Sequence, residues 1–280
     1  LGSASSKKLI ESTIKKYSID LIFHAAAYKH VPLVEENPII GLENNIFSTL
    51  NICEVSQVLK VEKVVLISSD KAVRPTNFMG VSKRISELIF QAFSKKENIN
   101  TCFSMVRFGN VLGSSGSVVP IFRDQISKGG PVTITDKEMV RYFMTIQEAS
   151  NLVIQSSALA ESGEILILDM GEPVFIKNLA LKMISLAGFK IKDKKNPNGD
   201  IEIIYTGKRP GEKLYEELLI SAKSEKTLHP LIYKAKEDSI SGEILFKELE
   251  NLKILLNNFD YNETLKLLKR LIPEWEKNTN

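Results

Sequence analysis

Lys63-Val64-Val65-Leu66-Ile67-Ser68-Ser69-Asp70-Lys71-Ala72-Val73-Arg74-Pro75-Thr76-Asn77-Phe78-Met79-Gly80-Val81-Ser82-Lys83 is the stretch that decides the fold. Its first six residues, KVVLIS, are apolar and β-branched almost without a break, the pattern of a strand buried on both faces. Two hydroxyls, a carboxylate and an amine then leave the strand end together. Pro75 and Asn77 turn the chain, and Phe78–Phe93 carries apolar residues at helical spacing. A strand that ends in polar groups and re-enters a helix is half of a βαβ unit. Open α/β sheets bind ligands at the C-terminal ends of such strands.

The neighbouring segments repeat the pattern. Leu21–Ala27 (LIFHAAA) reads as a buried strand, Pro38–Lys60 as a helix and Thr101–Arg107 (TCFSMVR) as a further strand. Together they predict an α/β fold, a Rossmann-like parallel sheet with helices on both faces. Beyond residue 110 the pattern is more mixed. Val118–Lys128, Ile146–Ala160 and Ile176–Ala187 read as helices, and Val132–Thr135, Glu164–Leu168 and Ile201–Tyr205 as short strands. Lys192–Asp200 is a polar loop, and Glu243–Leu271 is a charged helical tail closed by Pro273. The expected division is a partial Rossmann domain over 1–110 and a smaller mixed α/β lobe with the C-terminal helices over 111–280, interwoven as one unit.

The start of the chain departs from that plan. A dinucleotide-binding sheet normally opens with a strand, a Gly-rich turn and a helix whose N-terminus holds the pyrophosphate. No G-x-x-G-x-x-G occurs near residue 1, and Gly2-Ser3-Ala4-Ser5-Ser6 has no strand before it. The chain reads as N-terminally truncated, with the first strands of the sheet missing.

Composition narrows the class. With 280 residues, 43% hydrophobic and 25% charged, there is material for a sizeable core. A net charge of +3 gives no bulk attraction for nucleic acid. Cys53 and Cys102 each sit in an apolar run and are expected as buried free thiols. There is no CxxC or Cys/His cluster to hold a metal. No apolar stretch approaches a membrane span, and LGSASSKK lacks the apolar region of a signal peptide. A cytoplasmic location is expected, at the cytoplasmic face of a membrane if a longer form exists.

On spacing alone, Asp70 and Lys71 fit a surface loop pair as well as a reactive cluster, and Lys83 fits a solvated helix lysine. Met79 and Lys83 lie four apart and so share a helix face, from which Lys83 can point back at the strand end.

Here the sequence resembles a known family. SSDKAVRPTNFMGVSKR is similar to the active-site segment of the extended short-chain dehydrogenase/reductases, within them the polysaccharide-biosynthesis UDP-N-acetylglucosamine 4,6-dehydratases. FHAAAYKHVP (Phe23–Pro32), Glu43-Asn44-Asn45, RFGNVLGS (Arg107–Ser114), VRYFMT (Val140–Thr145) and GKRPGEK (Gly207–Lys213) resemble further motifs of that family in the same order. The likeness runs from about Ile19 to Leu219. One departure is Met79 where most of the superfamily has the Tyr of Tyr-x-x-x-Lys; the membrane-anchored long forms of this dehydratase group are similar in carrying Met.

The resemblance implies NAD or NADP as cofactor and a UDP-sugar as substrate, with a homo-oligomer expected. It implies cofactor contacts from Ala25, Ala26, Ala27, Asn45, Ser68 and Lys83, and substrate contacts from Lys29, Asn110, Arg141, Arg209 and Glu212. The catalytic group it implies is Ser69, Asp70, Lys71, Met79 and Lys83. Oxidation at C4 of the hexose is followed by loss of water across C5 and C6, then reduction at C6. Elimination needs a base for the C5 proton and an acid for the C6 hydroxyl; Lys71 is expected as base and Asp70 as acid, with Ser69 bonding the C4 oxygen. Met cannot move a proton, so the base at C4 stays open between Lys83, directly or through water, and Asp70. Arg141 and Arg209 offer forks suited to the diphosphate. His24 and His30 are expected to be structural, and Trp275 and the tail leucines to be packing residues. A sugar-nucleotide 4-epimerase and a non-catalytic remnant are the competing readings. The Asp70–Lys71 pair, which an epimerase does not need, argues against the first.

Overall fold

The computed structural model describes residues 1–97, 100–219, 224–237 and 239–276. It divides into two compact units, the first built from Leu1–Phe108, Leu152–Asp169 and the described residues from Glu217 on, the second from Gly109–Asn151 and Met170–Glu216.

The first unit holds a six-stranded sheet. β1 (Leu21–His24), β2 (Lys63–Ile67) and β3 (Cys102–Arg107) run parallel, with Leu21 opposite Lys63 and Lys63 opposite Cys102. Ile165–Leu168 continues the parallel order beside β3, and the hairpin of Glu225–Lys226 and Ile232–Ala235 adds two antiparallel strands. Alternation explains the burial: Val64, Leu66, Phe103, Met105, Ile165 and Ile167 face one core cluster. Val65, Val106, Leu166 and Leu168, on the other face, are equally buried. Both faces are therefore covered, as the unbroken apolar strands require.

Four helices precede or follow these strands: α1 (Lys7–Tyr17), the short α2 (Val31–Glu36), α3 (Pro38–Leu59) and α4 (Phe78–Ser94). α3 starts on Pro38, whose fixed φ and missing N–H suit a first helical position. α4 starts at Asn77, whose side chain accepts from the Gly80 N–H at 2.8 Å. Every residue from Phe78 to Phe93 is buried, so α4 lies inside the unit. Helices Gly242–Asn257 and Tyr261–Leu271 add Leu245, Leu249, Leu252, Leu267 and Leu268 to the same core.

The second unit has a three-stranded parallel sheet of Ile191–Lys192, Ile201–Tyr205 and Val132–Ile134. Helices Val118–Ser127 and Ile176–Leu186 pack on it through Phe122, Ile126, Ala180 and Ile184. Asn110–Val111 pairs with Phe143–Met144, and Val140–Arg141 with Val174–Phe175.

The structure divides the chain differently from the expected 1–110 and 111–280. Ile165–Leu168 pairs with β3, and the helices after Gly242 cover α4, so both return to the first unit. β1 stops at His24, leaving Ala25, Ala26 and Ala27 in a loop. The tail is two helices rather than one, because Phe259 turns left-handed at φ 54° and Asp260 caps the second.

Candidate active site

The C-terminal ends of β1, β2 and β3 bring one set of expected residues together. Ser68 N–H donates to the Val106 carbonyl at 2.8 Å and Asp70 N–H to that of Phe108 at 3.2 Å, so β3 holds the chain as it leaves β2. Asp70, Lys71 and Ala72 then form one 3₁₀ turn, capped by the Ser69 hydroxyl, which accepts from Lys71 N–H. This turn lies on α4 at Gly80. A Cβ there would stand 2.3 Å from the Lys71 carbonyl oxygen, a separation no side chain tolerates. Gly80 thus sets the close approach of the turn to the helix.

Asp70 is 1% exposed. Its Oδ1 accepts from Ser69 Oγ at 2.8 Å and from Lys71 Nζ at 3.0 Å. Its Oδ2 has no hydrogen-bond partner among the described residues. A buried carboxylate oxygen without a donor is costly, and such atoms mark places where a ligand or a proton belongs. Lys71 is half-buried, so the pair combines a shielded carboxyl with a reachable amine.

Lys83 projects from α4 to the end of β2 and donates to the Ile67 carbonyl at 2.6 Å. Burial holds its ammonium down to about 8, a shift that the nearby Glu87 carboxylate partly offsets. A lysine near neutrality can give or take a proton. Met79 is 4% exposed and belongs to the hydrophobic core.

Ser68 and Asn45 are spent within the fold. Ser68 Oγ donates to Glu87 Oε1 at 2.6 Å. Asn45 on α3 accepts from Tyr28 N–H at 2.7 Å and donates to the Tyr28 carbonyl and to Ser82 Oγ, which pins the loop after β1. Ala25, Ala26 and Lys29 in that loop are exposed and Ala27 half-buried. His24 donates or accepts through Nε2 with Thr49 Oγ1 at 2.9 Å. Burial, reinforced by the charge of Lys83, pushes it down to about 3, so it is a neutral packing residue.

Sequence reading missed the support beneath this site. Arg107, fully buried, reaches Glu87 Oε1 and Oε2 at 2.7 Å each and Glu237 at 2.7 and 2.8 Å. Arg84 adds contacts to Glu87 and Glu237 at 3.2 and 3.3 Å. Burial alone would raise Glu87, but Arg107, Arg84 and the Ser68 hydroxyl hold it at about 2. Glu35 on α2 accepts the Phe78 N–H at the start of α4. The available signal was charge placed where apolar spacing predicts core: Arg84 and Glu87 on α4, and Arg107 at the end of an apolar strand.

The second unit brings Asn110, Arg141, Arg209 and Glu212 into a separate set. Arg141 donates to the carbonyls of Val140, Leu214 and Lys213 at 2.7–3.0 Å, with Glu216 at 3.7 Å and Glu212 at 3.9 Å. Its fork is turned onto its own loop. Glu212 accepts from Thr135 Oγ1 and from the Arg209 N–H, and Asn110 Nδ2 donates to the Tyr142 carbonyl. Arg209 is exposed.

Comparison with known proteins gives this arrangement a family. Residues 1–237 match the family model described as polysaccharide biosynthesis protein. The capsular polysaccharide biosynthesis protein CapD of Staphylococcus aureus is 45% identical over 275 residues, 96% of this chain and 43% of that protein. The probable polysaccharide biosynthesis protein EpsC of Bacillus subtilis is 53% identical over 206 residues, 74% of this chain and 33% of that protein. A UDP-glucose 4-epimerase of Rickettsia canadensis is 33% identical over 79% of this chain and 61% of its own length. The chain thus spans less than half the length of CapD and EpsC. Among solved structures, Pen from Bacillus thuringiensis superposes with a TM-score of 0.75 at 34% identity, over 90% of this chain and 81% of that one. The dTDP-glucose 4,6-dehydratase DesIV of Streptomyces venezuelae, solved with NAD, shares the fold at a TM-score of 0.67 and 19% identity, over 78% of this chain and 69% of that one. A match over most of the chain and a shared parallel-sheet fold agree on one assignment: the chain belongs to the polysaccharide biosynthesis protein family.

Proposed function

We propose that this chain is the catalytic part of a nucleotide-sugar 4,6-dehydratase acting on UDP-N-acetylglucosamine with NAD or NADP. The observation that carries the reading is the buried Asp70, with one carboxylate oxygen held by Ser69 and Lys71 and the other buried with no hydrogen-bond partner among the described residues. Passing the shared proton across the 3.0 Å contact turns the ion pair into a neutral acid and a free amine. That is the pair elimination needs: Lys71 removes the C5 proton, and Asp70 protonates the departing C6 hydroxyl. Ser69 supports the C4 oxygen.

The residues at the ends of β1 and β2 fit the nicotinamide half of the cofactor. Lys83 offers a buried donor for ribose hydroxyls, and the exposed Ala25 and Ala26 after β1 are proposed to line the cofactor. A bound nicotinamide would supply reversible hydride acceptance. With Met79 in the core, the proton at the C4 hydroxyl falls to Lys83, directly or through water. Asn45 and Ser68 act by holding the Tyr28 loop and the end of β2. For the second unit, Arg209 is the exposed cation offered to the diphosphate, while Arg141 and Glu212 shape the loop that presents it. Asn110 and Lys29 remain proposed sugar-nucleotide contacts, and a homo-oligomer is the proposed assembly.

The test is incubation with UDP-N-acetylglucosamine and NAD, read by proton NMR for a C6 methyl doublet. The doublet is expected, and Asp70→Asn and Lys71→Met should each lose it by about 10²-fold or more. Full dehydration by either variant would sink the assignment. The relation to a Rickettsia UDP-glucose 4-epimerase favours a second reading; C4-epimerised product without a methyl doublet would establish it.

A further inference from the structure

Residues 274–276 lie beyond the region matched by the family model, which ends at 237. They meet the turn that follows Asp70 and Lys71 at Pro75 and at Phe78, where α4 begins. Trp275, 5% exposed, packs its ring tilted against Phe78, the first residue of α4, at 5.4 Å, and Tyr261 meets the same ring at 6.1 Å. Glu274 Oε1 accepts from Arg84 Nε at 3.1 Å, within two turns of the start of α4. The Glu276 N–H donates to the Pro75 carbonyl at 3.1 Å. Immediately before Pro75, Arg74 sits at φ 40°, a left-handed conformation that a residue other than glycine holds only when its surroundings impose it. The same helix start carries Gly80, on which the Lys71 carbonyl rests, and Lys83 one turn further.

We propose that Trp275 and Glu274 are positioning residues: the C-terminal stretch clasps the 72–78 turn and the first turn of α4, and so fixes Asp70 and Lys71 against Lys83. The clasp acts through Phe78, Pro75 and Arg84 and touches no reacting atom. It rests on the reading that Asp70 and Lys71 carry the chemistry, but its structural half can be measured without turnover.

The experiment compares the full chain with Trp275→Ala, Trp275→Phe and Glu274→Gln. Amide hydrogen exchange is followed over 72–84 and, as a control, over β3. Turnover of UDP-N-acetylglucosamine with NAD is followed in parallel. Trp275→Ala should exchange about tenfold faster over 72–84 with β3 unchanged. Its kcat should fall about tenfold or more at nearly constant KM, because only the alignment of the reacting groups is lost. Trp275→Phe, which keeps an aromatic ring on Phe78, should restore both. Trp275 is the only tryptophan of the chain, so its emission reports directly whether the clasp is shut. Exchange that rises equally in β3, or does not rise over 72–84, overturns the proposal. A fall confined to KM also overturns it. Should Trp275→Ala fail to fold, Glu274→Gln decides: faster exchange limited to 75–84 supports the clasp, and an unchanged pattern refutes it. A wild-type chain without turnover refutes the dehydratase reading, and the exchange pattern still decides the clasp.

Discussion

Two buried cations of this molecule are built in opposite ways. Lys83, in the first unit, donates to one backbone carbonyl and is held by burial to about 8. Arg141, in the second, is enclosed by three carbonyls and two carboxylates of its own unit. An ammonium desolvated with few partners is poised to lose its proton, whereas a guanidinium surrounded by acceptors keeps its charge and serves as a fastener. The contrast separates a cation whose charge is disfavoured by burial from one whose charge its surroundings hold.

The harshest way to probe the contrast is to remove the foundation of the first region. Arg107→Leu takes from the buried Glu87 and Glu237 the guanidinium that bonds both, and should cost about 3–5 kcal/mol in urea unfolding. Arg141→Leu should cost less, about 1–3 kcal/mol, since the groups it abandons are mostly neutral carbonyls. Equal losses would erase the distinction.

Lys83→Met tests the other half. The folded lysine titrates at about 8 and the unfolded one at its ordinary 10.5. Between those values the unfolded chain binds the extra proton, so Lys83 makes stability rise with pH across that window and fall as pH drops through about 8. The gain is on the order of 3 kcal/mol. In Lys83→Met this contribution should vanish from the unfolding free energy measured between pH 8 and 10.5. A variant that keeps the wild-type slope would show that Lys83 is solvated. The smallest effect on stability belongs to exposed Arg209: Arg209→Ala should move it by about 0.5 kcal/mol or less, yet raise KM for the nucleotide sugar. An unchanged KM would remove Arg209 from the diphosphate site.

The framework of the sheet was legible in sequence because β1, β2 and β3 are short apolar runs bounded by turn residues. The predicted ends of β2, β3, α3 and α4 fall within one residue of those observed. Partnership was not legible. ILIL at 165–168 shows that a strand exists, but an apolar face does not say which sheet it joins. α1 and α2 escaped reading because α1 buries only Ile14 and α2 only Val34, too little apolar spacing to announce a helix. The grouping of Ser69, Asp70 and Lys71 at the end of β2, the proposed catalytic cluster, was visible through its motif. The closing of Arg141 onto residues 213 and 214 was not, since a fork suits carbonyls seventy residues away as well as a phosphate.

The complete burial of α4 has a consequence for biosynthesis. One side of this helix is covered by α3, made earlier, and another by the helices after Gly242, made about 150 residues later. While a ribosome is still adding residues 95–240, Phe90, Phe93 and their neighbours have no finished shelter. Nascent chains should therefore hold an aggregation-prone helix until the helices after Gly242 have been synthesised. Fragments ending before Gly242 should depend on chaperones to stay in solution.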